Sequence, residues 1–373
     1  MAIRNVRRPR RATPGEKTGI DKQLLFLSVV FTILGFVAIA DASAPLALRT
    51  FDDSFYFVRQ QIVWGVIGMG VMVAGTIIHY SVWKKFAFVI FGVSIVFLIL
   101  VLLPGFGVKL LGARRWLSFG ILSFQPSEVV KLAIIIVMAR LLDEQNRRFY
   151  WYLVPVGIVA GLIMLQPDLG TTIVVVGVAV VQLFVSGVRL IYLVGSVGLA
   201  GLLGVLLIAF SGYRRDRLIG FFKVMSEGGE ASYHVRQILL ALGSGGLFGV
   251  GLGQSRQKYL FLPEVATDSV FAVIAEEVGF VGAVGIIITL AYFVFRIVKI
   301  SYQAPDRFSG ILAAGVAAWI GGQAFLNISS MVALTPLTGI PLPFFSYGGS
   351  SLVMILFGVG ILLNISRHGV KTK

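Results

Sequence analysis

Ten apolar runs, separated by short polar segments, divide most of the 373-residue chain. A helix that crosses a bilayer needs about 20 apolar residues, and most of the runs approach that length. They fall near residues 23–42, 58–78, 84–104, 127–142, 150–165, 169–186, 189–210, 269–298, 308–332 and 349–366. The pattern predicts an all-α polytopic membrane protein with ten transmembrane helices and both termini on the same side.

The composition agrees with this pattern. Hydrophobic residues make up 57% of the chain and charged residues only 13%, whereas a soluble domain would carry about a quarter charged residues. The absence of cysteine excludes disulfides and thiolate metal sites. A net charge of +15 would suggest nucleic acid in a soluble protein. Here the positive-inside rule explains most of it, and no nucleic-acid-binding signature is visible.

Lysine and arginine residues set the predicted orientation, because most of them fall in tails and short connections that share one face. The rule assigns that face to the cytoplasm. It predicts a basic cytoplasmic tail over 1–22, attracted to anionic lipid, a transmembrane domain over 23–366 and a cytoplasmic tail over 367–373. The long connection near 211–267 is then extracellular. Its apolar stretch Val235–Leu242 is too short to span and is expected at the membrane interface.

The first apolar run has a second interpretation. Together with the basic tail and the small residues of Ala40–Ala44, it also resembles a signal peptide with a cleavage site. Cleavage would leave nine helices and an external N-terminus. The apolar run is longer than a usual signal core, which favours an uncleaved helix.

The segment Phe261–Ala272 places Asp268 at the start of the eighth predicted helix, after a proline-containing turn. A carboxylate beside a membrane-spanning helix is costly to desolvate, and so by default it marks a functional site. The alternative is that Asp268 or Thr267 simply caps the helix or complements its dipole. The basic external loops favour function. Glu276 and Glu277, two turns deeper, are predicted to be buried partners of basic groups.

Other charged residues extend the candidate site. Glu128 and Lys131 are three residues apart on the fourth predicted helix, so they share a face and can pair. The pair can be structural, or Lys131 can join Arg115 in giving positive charge to a polar cavity, and the two interpretations are compatible. Asp168, in the turn Gln166–Gly170, is either a turn residue before a helix or a second carboxylate on the face of Asp268.

Two further loops belong to the same predicted face. The loop Pro341–Ser351, which contains Ser346, either caps the tenth helix or lines the same external cavity. The long connection holds the glycine-rich stretch Gly249–Gly253, whose backbone can approach a ligand closely, and the basic residues Arg256 and Lys258. The three histidines are scattered. No nucleotide-binding loop, metal-binding histidine pair or Ser-His-Asp arrangement is visible.

At these motifs the chain resembles the SEDS family (shape, elongation, division and sporulation proteins), which includes FtsW, RodA and SpoVE. The matching segments, in family order, are Gly112–Trp116, Phe124–Glu128 with Lys131, Gln166–Gly170, Phe261–Ala272 with Ala275–Glu277, and Pro341–Ser350. The resemblance implies a ten-helix peptidoglycan glycosyltransferase that polymerises lipid II on the outer face of the cytoplasmic membrane. One departure is Ala266–Ser269, where many members have His-Thr-Asp-Phe, so the fit around the aspartate is expected to differ.

The resemblance also implies residue roles. It makes Asp268 the essential carboxylate. The candidate substrate-binding residues are Arg115, Glu128, Lys131, Asp168, Arg256, Lys258 and Ser346. Among them, the candidate ligands for the diphosphate or lipid headgroup are Arg115, Lys131, Arg256 and Lys258. No cofactor is required by the sequence, and a divalent cation, Mg²⁺ or Mn²⁺, near Asp268 or Asp168 stays open.

In the implied reaction, the 4-hydroxyl of the acceptor GlcNAc attacks the anomeric carbon of the donor MurNAc and inverts it. Because the lipid diphosphate leaving group is a weak base, one carboxylate base and nearby cations suffice. A glycosidase, in contrast, usually needs two carboxylates. Asp268 is the predicted base.

The expected partners are lipid II, a class B penicillin-binding protein that cross-links the glycan, other division proteins and membrane lipid, without nucleic acid. The basic tail and the segments Gln254–Tyr259 and Thr338–Pro343 resemble FtsW more than RodA, which favours division over elongation. Two other functions stay open. A lipid II flippase should line a path with charges from both sides, and a non-catalytic scaffold should tolerate loss of the Asp268 charge.

Overall fold

The computed structural model describes residues 19–110, 113–119, 122–144, 148–209, 233–259 and 261–369, most of them helical. In chain order the elements are α1 (Lys22–Phe51), α2 (Tyr56–Ile77), α3 (Tyr80–Leu100), β1 (Gly107–Leu110), β2 (Ala113–Phe119), β3 (Leu122–Phe124), α4 (Pro126–Asp143), α5 (Tyr150–Leu165), α6 (Leu169–Val185), α7 (Leu190–Ala209), α8 (Tyr233–Gly245), α9 (Val270–Tyr302), α10 (Arg307–Met331) and α11 (Gly349–His368). Ten of these helices coincide with the ten apolar runs. The other, α8, contains the short apolar stretch of the long connection.

Six of the described helices are long and apolar enough to cross a bilayer, namely α1, α2, α3, α9, α10 and α11. Helices α5, α6 and α7 are also apolar, but over shorter stretches. Helix α4 carries four charged side chains and is nevertheless buried over most of its length. The chain is therefore a multi-pass membrane protein, and a total of ten spans remains a prediction.

The connection between α3 and α4 contains an antiparallel sheet that the sequence analysis missed. Its strand order is β1-β2-β3, with an irregularity in the register between Val108 and Lys109. The strands are short and lie next to long apolar runs, so they lack the extended alternation that identifies a strand from sequence. The fold class is accordingly mainly helical, with one small sheet, rather than purely α-helical.

Helices α4, α10 and α11 form the centre of the bundle, because their side chains are buried on nearly all sides. A helix that is apolar all round belongs in an interior. Helix α2 packs closely on α11 through small residues, since a Cβ added to Gly360 would lie 2.3 Å from the carbonyl oxygen of Met72. Such close approach through glycine is a common mode of helix association in membranes.

Polar contacts concentrate at the two ends of the bundle. The tail end, where α1 begins and α11 ends, carries the ion pairs Arg296–Asp21 and Lys84–Asp143, each at 2.6 Å. The loop end carries the sheet, the turn between α5 and α6, the chain that follows α8 and the loop between α10 and α11. The candidate site residues of the sequence analysis all lie toward the loop end.

Helix α9 is interrupted at Gly279, whose backbone has φ 71° and ψ −174°. Four backbone hydrogen bonds of 2.9–3.1 Å satisfy the interrupted turn, from the N–H groups of Val250 to Glu276, Gly251 to Glu277, Phe280 to Gly246 and Val281 to Leu247. An unpaired backbone group in lipid costs several kcal/mol. The chain after α8 therefore does more than connect two helices, because it supplies the hydrogen-bond partners that the backbone of α9 lacks at its interruption.

This pairing predicts that Gly279 tolerates no side chain. A Cβ there would lie 2.2 Å from the backbone nitrogen of Gly249, at a positive φ that L-residues rarely adopt. We expect Gly279→Ala to lower the free energy of unfolding by more than about 2 kcal/mol, measured by thermal unfolding in detergent. The matched control is Gly285→Ala in the same helix, where a Cβ meets nothing within 4 Å. Equal stability of the two variants would contradict the pairing.

Candidate active site

Asp268 lies in a tight turn at the head of α9. The N–H groups of Thr267 and Ser269 both donate to the carbonyl oxygen of Glu264, at 3.1 Å each. The hydroxyl of Ser269 donates to the carbonyl oxygen of Pro263 at 3.0 Å. Ser269 is buried whereas Asp268 keeps partial exposure. The turn therefore presents the Asp268 carboxylate at the surface of the loop end, beside the amino terminus of a helix.

Two amide side chains of α10 hold the turn and the α10–α11 loop together. Asn327 donates from Nδ2 to the carbonyl oxygens of Asp268 and Ile340, each at 2.8 Å. Gln323 donates from Nε2 to the carbonyl oxygen of Pro341 at 2.9 Å. The sequence analysis missed both residues, although a polar amide inside an apolar run is itself a signal.

Gly339 lies beside the Asp268 carboxylate. This glycine has φ 71°, and a Cβ added to it would lie 3.4 Å from Oδ2 of Asp268. The Asp268 carboxylate therefore lies close to the backbone of the α10–α11 loop at this glycine. The N–H of Tyr347, in the same loop, donates to the carbonyl oxygen of Ala266 at 2.8 Å. The loop Pro341–Ser351 thus contacts the turn that carries Asp268.

The predicted ion pair between Glu128 and Lys131 is confirmed. Oε1 of Glu128 lies 2.8 Å from Nζ of Lys131, and each residue is only 2% exposed. Lys131 also donates to Oε1 of Gln323 at 2.9 Å, and the indole N–H of Trp319 donates to the same oxygen. Oε2 of Glu128 is buried without a hydrogen-bond partner among the described residues. The pair is therefore linked through Gln323 to the loop that borders Asp268, and one of its oxygens can still accept a hydrogen bond.

Arg115 and Asp168 meet at the turn between α5 and α6. Arg115 donates from Nε to the carbonyl oxygen of Gln166 at 3.0 Å and from Nη2 to that of Pro167 at 2.6 Å. Asp168 caps α6, accepting from the N–H and the hydroxyl of Thr171 at 3.0 and 2.9 Å. The capping interpretation of Asp168 is confirmed. Its role as a second carboxylate of the site, in contact with substrate, stays a prediction.

Lys258 lies in a buried cluster of charges. It is 3% exposed, and its Nζ lies 2.6 Å from Oδ1 of Asp41 and 3.0 Å from Oε1 of Glu277. Burial alone would lower the pKa of Lys258, but the hydrogen bonds to the two carboxylates outweigh it and raise the pKa. The prediction that Glu277 is a buried partner of a basic group is confirmed. Two of the three N–H donors of Lys258 are thus engaged, and its contact with substrate stays a prediction.

Asp41 was missed as a functional candidate. Sequence reasoning considered Ala40–Ala44 only as a cleavage-site pattern, whereas the structure has α1 continuing through it and Asp41 contacting Lys258. No local signal joins residues so far apart in the chain. A carboxylate inside an apolar run is the general indication that could have suggested a partner.

Glu276 differs from the prediction that it would pair with a basic side chain. Its carboxylate accepts hydrogen bonds from the hydroxyls of Ser244 and Ser255 and from the backbone N–H groups of Arg256 and Gln257. Within the described residues, this carboxylate is therefore satisfied by neutral donors. The Arg256 side chain is exposed. It is therefore accessible to a substrate, and its predicted contact with one stays a prediction.

Ser346 and His234 complete the surroundings. The hydroxyl of Ser346 accepts from the N–H of Leu342 at 2.7 Å and closes a turn of the α10–α11 loop, so direct substrate contact by Ser346 stays a prediction. His234, on α8, hydrogen-bonds through Nε2 to the hydroxyl of Ser269 at 2.8 Å. In the sequence the three histidines are scattered. The structure brings this one next to the residue that follows Asp268.

Among the residues that the structure describes, no group of three or more His, Cys, Asp and Glu side chains is arranged to hold a metal ion. This arrangement neither requires nor excludes the divalent cation considered for Asp268 or Asp168. The chemistry assigned below uses only the side chains of this chain.

The fold and the site define a polytopic membrane protein with a carboxylate and several basic groups gathered at one end of its bundle. Residues 22–371 match the family model for FtsW, RodA and SpoVE, described as a cell cycle protein. The chain belongs to this family, as the sequence motifs predicted. It is 39% identical over 362 residues to stage V sporulation protein E of Bacillus subtilis, covering 95% of this chain and 98% of the relative.

Other relatives agree in sequence and in fold. A probable peptidoglycan glycosyltransferase FtsW of Haemophilus influenzae is 37% identical over 358 residues, covering 93% of this chain and 90% of the relative. The crystal structure of the rod shape determining protein RodA of Thermus thermophilus has a TM-score of 0.68 at 29% identity, covering 95% and 98% of the two chains. A solved structure on the coordination of polymerization and crosslinking by a peptidoglycan synthase complex gives a TM-score of 0.76 at 28% identity, covering 93% and 98%.

The cluster of Asp41, Lys258 and Glu277 predicts a large stability effect. Removing the ammonium in Lys258→Met leaves the buried Glu277 and the partly exposed Asp41 without their cation, and we expect it to cost about 3–5 kcal/mol in thermal unfolding. Arg256→Met, on an exposed side chain two residues earlier, is the control and should cost little. Adding Glu277→Gln to Lys258→Met should recover part of the loss. Absence of any recovery would contradict the ion-pair assignment.

The same cluster predicts the pH dependence. Because the pKa of Lys258 is raised in the folded protein, its stabilising charge is fully present below its ordinary value of 10.5. It is lost only as the pH rises through the folded value. The cost of Lys258→Met, measured by thermal unfolding in a Glu277→Gln background where residue 277 cannot take up a proton, is therefore expected to be constant between about pH 6 and 9. A cost that fell steadily over this range would show that another group controls the cluster.

Proposed function

We propose that this protein is a peptidoglycan glycosyltransferase that polymerises lipid II on the outer face of the cytoplasmic membrane, with Asp268 as the general base. The observation that carries the proposal is the position of Asp268, a partly exposed carboxylate at the head of a membrane helix, bordered by Gly339 and at the same end of the bundle as Arg115 and Arg256. The names of the FtsW relatives support the same activity.

The backbone around Asp268 supports its role as a base. Asn327 fixes the main chain of Asp268, and Gly339 lies beside the carboxylate. A general base must come within about 2.6–3.2 Å of the hydroxyl whose proton it accepts. We assign the acceptor sugar hydroxyl to the side of the Asp268 carboxylate that borders Gly339. Attack by that hydroxyl on the donor, with departure of the lipid diphosphate from the opposite side, inverts the anomeric carbon.

The electrostatics separate the basic candidates into two groups. Lys131 and Lys258 are already balanced by buried carboxylates, so we assign them to positioning the loops around Asp268. Arg115 contacts neutral carbonyl oxygens and Arg256 has an exposed side chain, so both keep a full positive charge. We therefore assign Arg115 and Arg256 to the diphosphate, whose developing charge needs cations in the transition state.

The proposal includes the membrane arrangement and the partner. The tail end carries most of the basic connections and is assigned to the cytoplasm, with ten spans that include the shorter helices α5, α6 and α7. A class B penicillin-binding protein is the proposed partner, consistent with the similarity to a chain of a peptidoglycan synthase complex. A role in septal synthesis is supported by the FtsW relatives.

The test is polymerisation of labelled lipid II by the full-length protein with its cognate class B penicillin-binding protein, resolved on a gel. Asp268→Asn keeps the shape of the side chain but removes the base, and we expect the rate to fall by about 10²–10⁴-fold. The control is Asp52→Asn, which neutralises an exposed carboxylate at the end of α1. It should polymerise normally.

Three results would contradict the proposal. Polymerisation by Asp268→Asn at the wild-type rate, at equal protein level, would remove Asp268 from catalysis. A wild-type protein that yields no glycan with its partner present, yet moves lipid II across vesicle membranes, would be a flippase. If cells that carry Asp268→Asn divide as well as cells that carry the wild-type protein, a non-catalytic scaffold is favoured instead.

A further inference from the structure

A cavity of about 340 Å³ lies at the tail end of the bundle, far in the fold from Asp268. It is formed where the start of α1 meets the ends of α9 and α11. Its volume falls within the range of small-molecule and headgroup sites. The mechanism proposed above makes no use of it.

The cavity wall is positively charged. Lys22, Arg296 and Lys299 line it, together with a single carboxylate, Asp21. Both oxygens of that carboxylate are engaged, since Oδ1 caps α1 at Leu24 and Oδ2 lies 2.6 Å from Nη2 of Arg296. The wall therefore presents more positive than negative charge.

Hydrogen-bond donors of the wall are left over for a ligand. Nε of Arg296 is shielded from solvent and has no hydrogen-bond partner among the described residues. Lys22 and Lys299 are exposed, and neither forms an ion pair with another residue that the structure describes. An anion placed between them would neutralise two ammonium groups and lie beside the Arg296 guanidinium. Phosphate is the anion whose oxygens best match such a set of donors.

Apolar residues continue from the cavity along the same two helices. Phe26 follows Lys22 by one turn of α1 and is 66% exposed, and Phe295 precedes Arg296 on α9 and is 58% exposed. Farther along, Ile33 of α1 and Ile288 of α9 are also exposed. A ligand held by its phosphate in the cavity would thus have acyl chains lying against these residues.

From this combination we propose that the cavity binds the headgroup of an anionic phospholipid, with its phosphate between Lys22, Arg296 and Lys299. Basic pockets between transmembrane helices on the cytoplasmic side are suited to such headgroups. The preceding tail over 1–18 is itself rich in arginine, so its charge opposes its own entry into a basic cavity. The proposal is independent of the polymerase function.

Lipid binding by the full-length protein, purified in neutral detergent, tests this site. Phosphatidylglycerol and phosphatidylcholine are titrated separately, and bound lipid is counted by native mass spectrometry. In Lys22→Gln/Lys299→Gln we expect the affinity for phosphatidylglycerol to fall about tenfold or more. The control Lys85→Gln/Arg148→Gln removes the same charge from exposed residues outside the cavity and should change the affinity less than about twofold.

A further double variant separates the loss of charge from an effect on folding. Lys22→Arg/Lys299→Arg keeps the charges and should bind phosphatidylglycerol as the wild type does. Equal losses in the cavity variant and the control, or no loss in either, would overturn the proposal, because the attraction would then be spread over the whole surface. If inorganic phosphate displaces no bound lipid, the lipid assignment is supported. Inorganic phosphate that binds as tightly as the lipid would overturn it in favour of a soluble phosphate compound.

Discussion

The interrupted turn of α9 is the constraint on which the loop end depends. Lipid offers no partner to backbone groups, so the carbonyl and N–H groups freed at Gly279 must be paired within the protein. The chain after α8 pairs them, and this brings Ser255 and Lys258 onto the carboxylates of Glu276 and Glu277. The turn that carries Asp268 follows within the same segment. A backbone requirement in one membrane helix thereby determines where the candidate base lies.

Buried charges reinforce this arrangement from two other directions. Asp41 ties α1 to Lys258, and Lys131 ties α4 through Gln323 to the loop beside Asp268. Each of these charges is expensive to bury alone and tolerable only when paired. Loss of one partner therefore leaves the other charge unpaired and destabilises the loop end. Such fixed geometry suits a site that must position a base against a sugar hydroxyl.

The sequence predicted the helices well because each is a long apolar run, and it predicted the Glu128–Lys131 pair because three-residue spacing fixes a helix face. It missed contacts between distant segments, such as Asp41 with Lys258 and His234 with Ser269, since neither is encoded locally. It missed the sheet because its strands are short. It could indicate that Asp268 matters, but the position of Gly339 beside its carboxylate depends on how two loops meet.

The interior of the bundle bears on polymerase versus flippase. Between Lys131 and Arg140, the residues of α4 are apolar and buried, and Trp319 of α10 is fully buried beside them. A flippase needs a polar path that continues from one end to the other for a charged headgroup. Along α4 and the part of α10 packed against it, a buried apolar layer separates the charges near the loop end from those of the tail end. Chemistry confined to the loop end needs no such path, and this favours the polymerase.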